Sequence, residues 1–272
     1  MLLCQISDLH IRVEGSLAYG IVDTAAMLGR CVSQILALPQ RPAAVIATGD
    51  LVDFGRQEEY RRLRELLAPL TMPIYLLPGN HDDRVEMIRA FPDHAYLAQE
   101  SDYVQFAIDS LPVRLVALDT VVPGESGGAL CGSRLEWLDR ALSAAPQRPT
   151  IVAMHHPPFL TGIGHMDRIG FADRDALARV IARHPQVERI ICGHLHRSIT
   201  TRFAGTLAST CPSPAHQVAL DIDSNAADCF VMEPPGFHLH WWSGGRLVSH
   251  VAVVGQYPGP YPFRKNGQLI DG

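Results

Sequence analysis

The chain has 272 residues, 47% of them hydrophobic and 19% charged, with a formal net charge of -5. That length and composition suit one large soluble domain, or a large domain with an appendage. The acidic balance argues against a protein that holds nucleic acid mainly by charge. Six cysteines, Cys4, Cys31, Cys131, Cys192, Cys211 and Cys229, are scattered with no CxxC pair, which points to free thiols in a reducing compartment. The opening "MLLCQISDLH" lacks a basic segment before its short apolar run, and no stretch approaches the roughly 20 apolar residues of a membrane span, so the expected setting is cytoplasmic and off the membrane.

In chain order, β and α signals alternate. "MLLCQIS" reads as a strand, residues 19–38 as an amphipathic helix, "AAVIAT" as a strand, residues 57–70 as a helix and "MPIYLLP" as a strand. Residues 103–120 read as two strands around a turn at Ser110 to Pro112, followed by a helix over 133–145, a strand at "PTIVAM", a helix over 174–184 and a strand at "VERIICG". Such alternation is α/β architecture, and by itself it suggests a doubly wound sheet. From about residue 200 short β-like runs take over: "TRFAGTLAST", "HQVALDI", "DCFVMEP", "FHLHWW" and "RLVSHVAVV". The expected organisation is a core over 1–200, a β-rich extension over 201–255 and a Pro- and Gly-rich, irregular tail over 256–272.

Polar residues follow the strand-like runs. Asp8 and His10 come after the first, Asp50 after the second, Asn80 after the third, His155 after "PTIVAM", and His194 and His196 after "VERIICG". In open α/β sheets ligands gather at the carboxyl ends of strands, so parallel strands would bring these side chains together. Oxygen and imidazole donors without a thiolate suit Mn, Fe, Co or Zn in a catalytic setting. Seven donors exceed one four-coordinate ion and suit two divalent ions sharing Asp50. Gly49, Gly79 and Gly193 would let the backbone turn beside the ions without a Cβ in the way.

The series "DLH", "GDLVD", "GNHD", "MHHPP" and "GHLH" resembles the calcineurin-like metallophosphoesterase superfamily, with every ligand position of its pattern filled. "LLCQISDLH", "LAYGIVD", "GRQEEY", "PGNHDD", "HMD" and "AHQV" are similar to its class III cyclic nucleotide phosphodiesterase branch, in particular the bacterial glycerophosphodiester phosphodiesterases. The resemblance implies two facing β-sheets flanked by helices, a four-layer α/β/β/α sandwich. It implies Asp8, His10, Asp50 and His196 around one metal, and Asp50, Asn80, His155 and His194 around the other. It also implies that His81 meets the phosphate, that Asn80 contacts it from the second metal, and that the β-rich extension makes homodimers or larger assemblies.

The remaining residues are weighed separately. Asp53 and Asp119 are expected to buttress ligand histidines or cap helices, and His156 to be structural. His216 and Ser126 are pocket candidates. His94, His184, His238, His240 and His250 are read as surface or core histidines without a site role. The function expected is a metal-dependent phosphodiesterase acting on small diesters by in-line attack of a hydroxide formed between the metals. Asp50 and His81 carry the chemistry, and Asn80, His81 and His216 the substrate. A phosphomonoesterase, a nuclease and a non-enzymatic metal scaffold are the alternatives. The nuclease lacks a basic or aromatic track for a strand, and Arg84 is the one arginine near "GNHD" that could suit a protein phosphatase.

Overall fold

In a computed structural model, which describes residues 1–97 and 102–270, the first half of the chain winds as the alternation predicts. Strand β1 (Leu2–Ile6) leads to α1 (Thr24–Leu36), β2 (Ala44–Thr48), α2 (Gln57–Leu67), β3 (Ile74–Leu77) and α3 (Arg84–Ala90), and β1, β2 and β3 pair in parallel. The helix expected over 19–38 begins later. Ala18 and Val22 pair across a turn in which Tyr19 and Gly20 have positive φ, and Asp23 caps the helix by accepting from Ala26 N.

A second series follows: β4 (Phe106–Ile108), β5 (Arg114–Leu118), α4 (Gly132–Ser143), β6 (Thr150–Met154), α5 (Gly164–Arg168), α6 (Arg174–Ile181) and β7 (Val187–Cys192). The run "TRFAGTLAST", read as one strand, lies in two: β8 (Ile199–Phe203) and β9 (Thr206–Thr210) form an antiparallel hairpin. Its turn is Ala204 and Gly205, both at positive φ, the backbone that a tight two-residue hairpin demands. The second sheet has the order β4-β5-β6-β7-β9-β8.

Beyond it, β10 (Gln217–Val218) and β11 (Phe230–Val231) make a short antiparallel pair. Strands β12 (Gly236–Ser243) and β13 (Arg246–Val253) return to the first sheet, whose order is β13-β12-β1-β2-β3. The C-terminal segment, read as irregular throughout, carries a small hairpin of β14 (Arg264–Lys265) and β15 (Gln268–Leu269). Asn266 and Gly267, both at positive φ, form its turn, a signal that the surrounding prolines and glycines masked.

Two main sheets stand where alternation alone suggested one. Alternate residues of the second sheet separate into two cores: Leu115, Ala117, Ile151, Ala153 and Ile191 join β1, β2 and the helices α1 and α2 in the larger one. Their neighbours Val116, Leu118, Val152, Met154, Ile190 and Cys192 join Leu138, Leu142, Leu177 and Ile181 of α4 and α6. A period of two that buries both faces places the second sheet between the first sheet and a helical layer, which makes the four-layer α/β/β/α sandwich. No helix among the described residues is long and apolar enough to cross a membrane.

Candidate metal centre

The sharp turns after β1, β2 and β7 hold Asp8, His10, Asp50, His194 and His196 at φ of 56, 45, 48, 71 and 51°. Non-glycine residues rarely occupy this left-handed region, and each costs on the order of 1 kcal/mol or more. The surrounding structure over-determines them. Asp8 N donates to Gly49 O, Leu9 N and His10 N donate to Asp50 O, and His194 N donates to Asp8 Oδ1 at 2.8 Å. A Cβ on Gly79 would press on the Asp50 carboxylate and lie 2.8 Å from His155 Cε1. One on Gly193 would lie 2.7 Å from Thr48 O and 3.0 Å from Asp8 Oδ2. Both glycines are therefore required by close approach.

The hydrogen bonds fix the ring tautomers. His10 Nδ1 donates to Asp53 Oδ1 at 3.1 Å, His155 Nδ1 to Thr48 O at 2.8 Å and His196 Nδ1 to His216 O at 3.0 Å. In the neutral imidazole each Nε2 is then an unprotonated acceptor. His10 Nε2 faces His196 Nε2 at 3.1 Å. His155 Nε2 faces Asn80 Oδ1 at 3.1 Å and Asp50 Oδ2 at 3.4 Å. Asp8 Oδ2 and His194 Nε2 are buried with no hydrogen-bond partner. Lone pairs that converge on lone pairs in a dry site are repulsive unless a cation lies among them. The ligating atoms of Asp8, His10, Asp50 and His196 all lie within 4.8 Å of one another, so this chain fits a divalent metal centre on its own donor chemistry.

Electrostatics agree with the geometry. Burial alone would raise the Asp50 carboxyl, but His155 and His81 hold it well below the usual carboxylate range. Burial lowers the His155 imidazole, yet the Asp50 carboxylate outweighs it and pushes the ring up to about 9. His194, next to these groups, is brought down to about 3 by burial and by His155, and burial with His10 holds His196 well below the usual imidazole range.

Around this centre the other expected residues fall as follows. His81 N donates to Asp50 Oδ1 at 2.9 Å and its Nδ1 to Asp53 O at 2.8 Å, with the ring on the cleft. Asp53 buttresses His10 and also accepts from Arg12. His216 packs 4.6 Å from His196, ring to ring, and Ser126 lines the same cleft. His156 has both ring nitrogens engaged, with Thr120 Oγ1 and Ser126 O, which makes it structural. Asp119 neither buttresses a ligand histidine nor caps a helix. It binds Arg84 through both oxygens and accepts from Val104 N and Val121 N. Arg84 is thereby committed away from the cleft.

Sequence reasoning missed Asp82. Its half-buried carboxylate accepts from Leu51 N, Val52 N, Gly79 N and Tyr60 Oη, tying the loop of Asp50 to the loop of Asn80. The available signal was the first aspartate of "GNHDD"; Asp83, the second, caps α3 by accepting from Glu86 N.

The centre opens into a cleft of about 370 Å³ lined by His10, Asp50, Asn80, His81, His194, His196 and His216, and also by Tyr19, Met166, Asp228 and Phe230. Among the described residues none of the lining side chains is arginine or lysine.

A family model described as calcineurin-like phosphoesterase matches residues 1–198. A protein of Arcobacter nitrofigilis named "Probable glycerophosphodiester phosphodiesterase" is 39% identical, with 100% of both chains covered. A 3',5'-cyclic adenosine monophosphate phosphodiesterase of Pseudomonas aeruginosa is 33% identical over 93% of this chain and 90% of its own. Among solved structures, a dimetal phosphatase from Danio rerio superposes with a TM-score of 0.68 at 17% identity, covering 93% of this chain and 98% of that one, a likeness of fold.

Proposed function

The chain belongs to the calcineurin-like phosphoesterase family, and from that membership we propose that it hydrolyses small phosphodiesters, glycerophosphodiesters and cyclic nucleotides among them, with two divalent metals. Asp8, His10, Asp50 and His196 would hold one ion, and Asp50, Asn80, His155 and His194 the other. Their oxygen and imidazole donors suit Mn, Fe, Co or Zn. When bound, such ions supply positive charge to phosphoryl oxygens and acidify a water enough for it to react near neutral pH.

The protein's own groups do the rest. Asp53, Thr48 O and His216 O orient the imidazoles by their second nitrogens. His81, with Nδ1 committed to Asp53 O, offers Nε2 to the substrate. In its protonated form it donates there to a phosphoryl or leaving-group oxygen. His216 and Ser126 contribute cleft wall. The observation that carries the preference for diesters is the absence of any arginine or lysine among the cleft's described lining residues. A monoester carries close to two negative charges and gains from a guanidinium clamp, whereas a diester carries one.

The test compares kcat/KM for a bis-aryl phosphate, glycerophosphoethanolamine, cyclic AMP and an aryl monoester, with one metal and at one pH. A monoester preference of tenfold, about 1.4 kcal/mol of transition-state binding, would overturn the diesterase reading. On this reading the segment 201–255 completes the sheets and caps the cleft, and the chain acts as a homodimer or larger assembly. Six unpaired cysteines, four of them buried, support a cytoplasmic setting.

A further inference from the structure

A diester brings two alcohols to the phosphorus, and only one of them leaves. The metal-centre residues take one part of the cleft lining, and Tyr19, Met166, Asp228 and Phe230 are left for an alcohol of the diester to lie against. That part of the lining is aromatic and acidic. The Tyr19 and Phe230 rings stand 4.9 Å apart, tilted 33° to each other, and both rings abut His216, at 5.1 and 5.2 Å. Asp50 and Asp228 are the acidic residues lining the cleft. Asp50 is enclosed by the imidazoles, while the Asp228 side chain is 87% exposed.

The Asp228 backbone leads directly into ordered structure, while its side chain stays exposed. It lies two residues before Phe230, which opens β11 and pairs with Val218 of β10. Its Oδ1 is 3.3 Å from Nε2 of the buried His165 on α5. The same stretch is fastened again where Arg168 donates to Ser224 O at 3.2 Å. A carboxylate that lines the same cleft as two aromatic rings attracts cations by charge, and the rings by their quadrupoles. It also repels an alcohol that carries a second negative charge.

Resting on the diesterase reading above, we propose that Asp228, with the rings of Tyr19 and Phe230, is a specificity subsite for a cationic alcohol, an ammonium or quaternary ammonium group on the retained side of the diester.

The experiment uses two chromogenic esters that release the same nitrophenol: p-nitrophenyl phosphocholine and its neutral carbon isostere, p-nitrophenyl 3,3-dimethylbutyl phosphate. They differ by one charge, and the ratio of their kcat/KM values reads the subsite alone. For the metal-loaded wild-type protein the ratio favours the cationic ester by roughly tenfold at low salt, the size expected of one exposed ion pair plus aromatic contact. It shrinks at high ionic strength as screening shortens. In Asp228→Asn the ratio falls toward unity and loses its salt dependence, while Asp228→Glu retains both. A wild-type ratio near one, or an Asp228→Asn ratio equal to wild type, overturns the subsite while leaving the diesterase reading intact. Failure of the wild-type protein to turn over either ester or a bis-aryl phosphate overturns that reading and the subsite with it.

Discussion

Asp50 sits between the two halves of the centre, with His10 Nε2 at 3.7 Å and His155 Nε2 at 3.4 Å from the same oxygen, so its removal should affect both ions. Asp50→Ala is expected to lose bound metal in elemental analysis and to lower kcat/KM by about 10³-fold or more, the scale of removing a principal electrostatic group from an active site. Retention of full activity would reject the shared-ligand role. Asp53 acts one step out, by holding His10 through Nδ1. Asp53→Asn should weaken metal affinity about 10- to 100-fold and be largely rescued by excess metal, a pattern that mere misfolding would not give. The proposed ligand positions could be picked out in the sequence because each follows an apolar run with a characteristic neighbour. Asp82 and the carbonyls of Thr48 and His216 were not legible. Their roles depend on which loops meet in space, and a backbone oxygen leaves no residue-type signature.

At the scale of elements, the βα alternation could be read through β7 because local periodicity marks each strand and helix. The placement of β12 beside β1 could not. Leu2 pairs with Trp241 and Gln5 with His238, partners far apart in sequence that no local pattern announces. That placement buries two histidines. His238 meets Ser198 Oγ, and His240 lies between Ser249 Oγ and Gln5 Oε1. Burial, with Arg189 nearby, takes His238 down to about 4, and burial with His238 holds His240 well below the usual imidazole range. Both are depressed relative to an unfolded value near 6.5. Above that pH each is neutral in both states and no stability is lost. As pH falls from about 6.5 through 4 the unfolded chain takes up protons that the folded one refuses, and stability declines. His238 alone accounts for up to about 3 kcal/mol of that decline. Urea unfolding of wild type and His238→Gln between pH 4 and 7 should show a shallower pH slope in the variant, and equal slopes would exclude this role.

Across the same layer, Asp82 joins the ends of β2 and β3. Asp82→Ala would strand the buried amides of Leu51, Val52 and Gly79 together, and a loss of about 2–4 kcal/mol of stability is expected. Thermal denaturation would register it as a lowered Tm in the metal-free protein as well as the loaded one. An unchanged Tm would show that water replaces the carboxylate without cost.

For the whole molecule, the β12–β13 face of the surface is uneven. Trp241, Val248, Val251 and Val253 are exposed on the β12–β13 hairpin, and Tyr257, Tyr261 and Phe263 in the segment that follows it. β13 is an edge strand of the first sheet, with one row of backbone groups unpaired by any neighbouring strand among the described residues. An edge of eight residues flanked by apolar side chains is a template for another chain unless charge or proline blunts it. Arg246 and His250 are the ionisable groups along it, too few to guard its full length. A second copy related by two-fold symmetry would cover the hairpin and the following aromatics at once. Sedimentation of the metal-loaded protein should therefore show a dimer or larger species. Val251→Lys, which places a charge in the middle of the edge, should shift it toward monomer while leaving the metal content unchanged. A wild-type protein that sediments as monomer at every concentration tested would reject the interface, and the exposed aromatics would then have to be explained as surface alone.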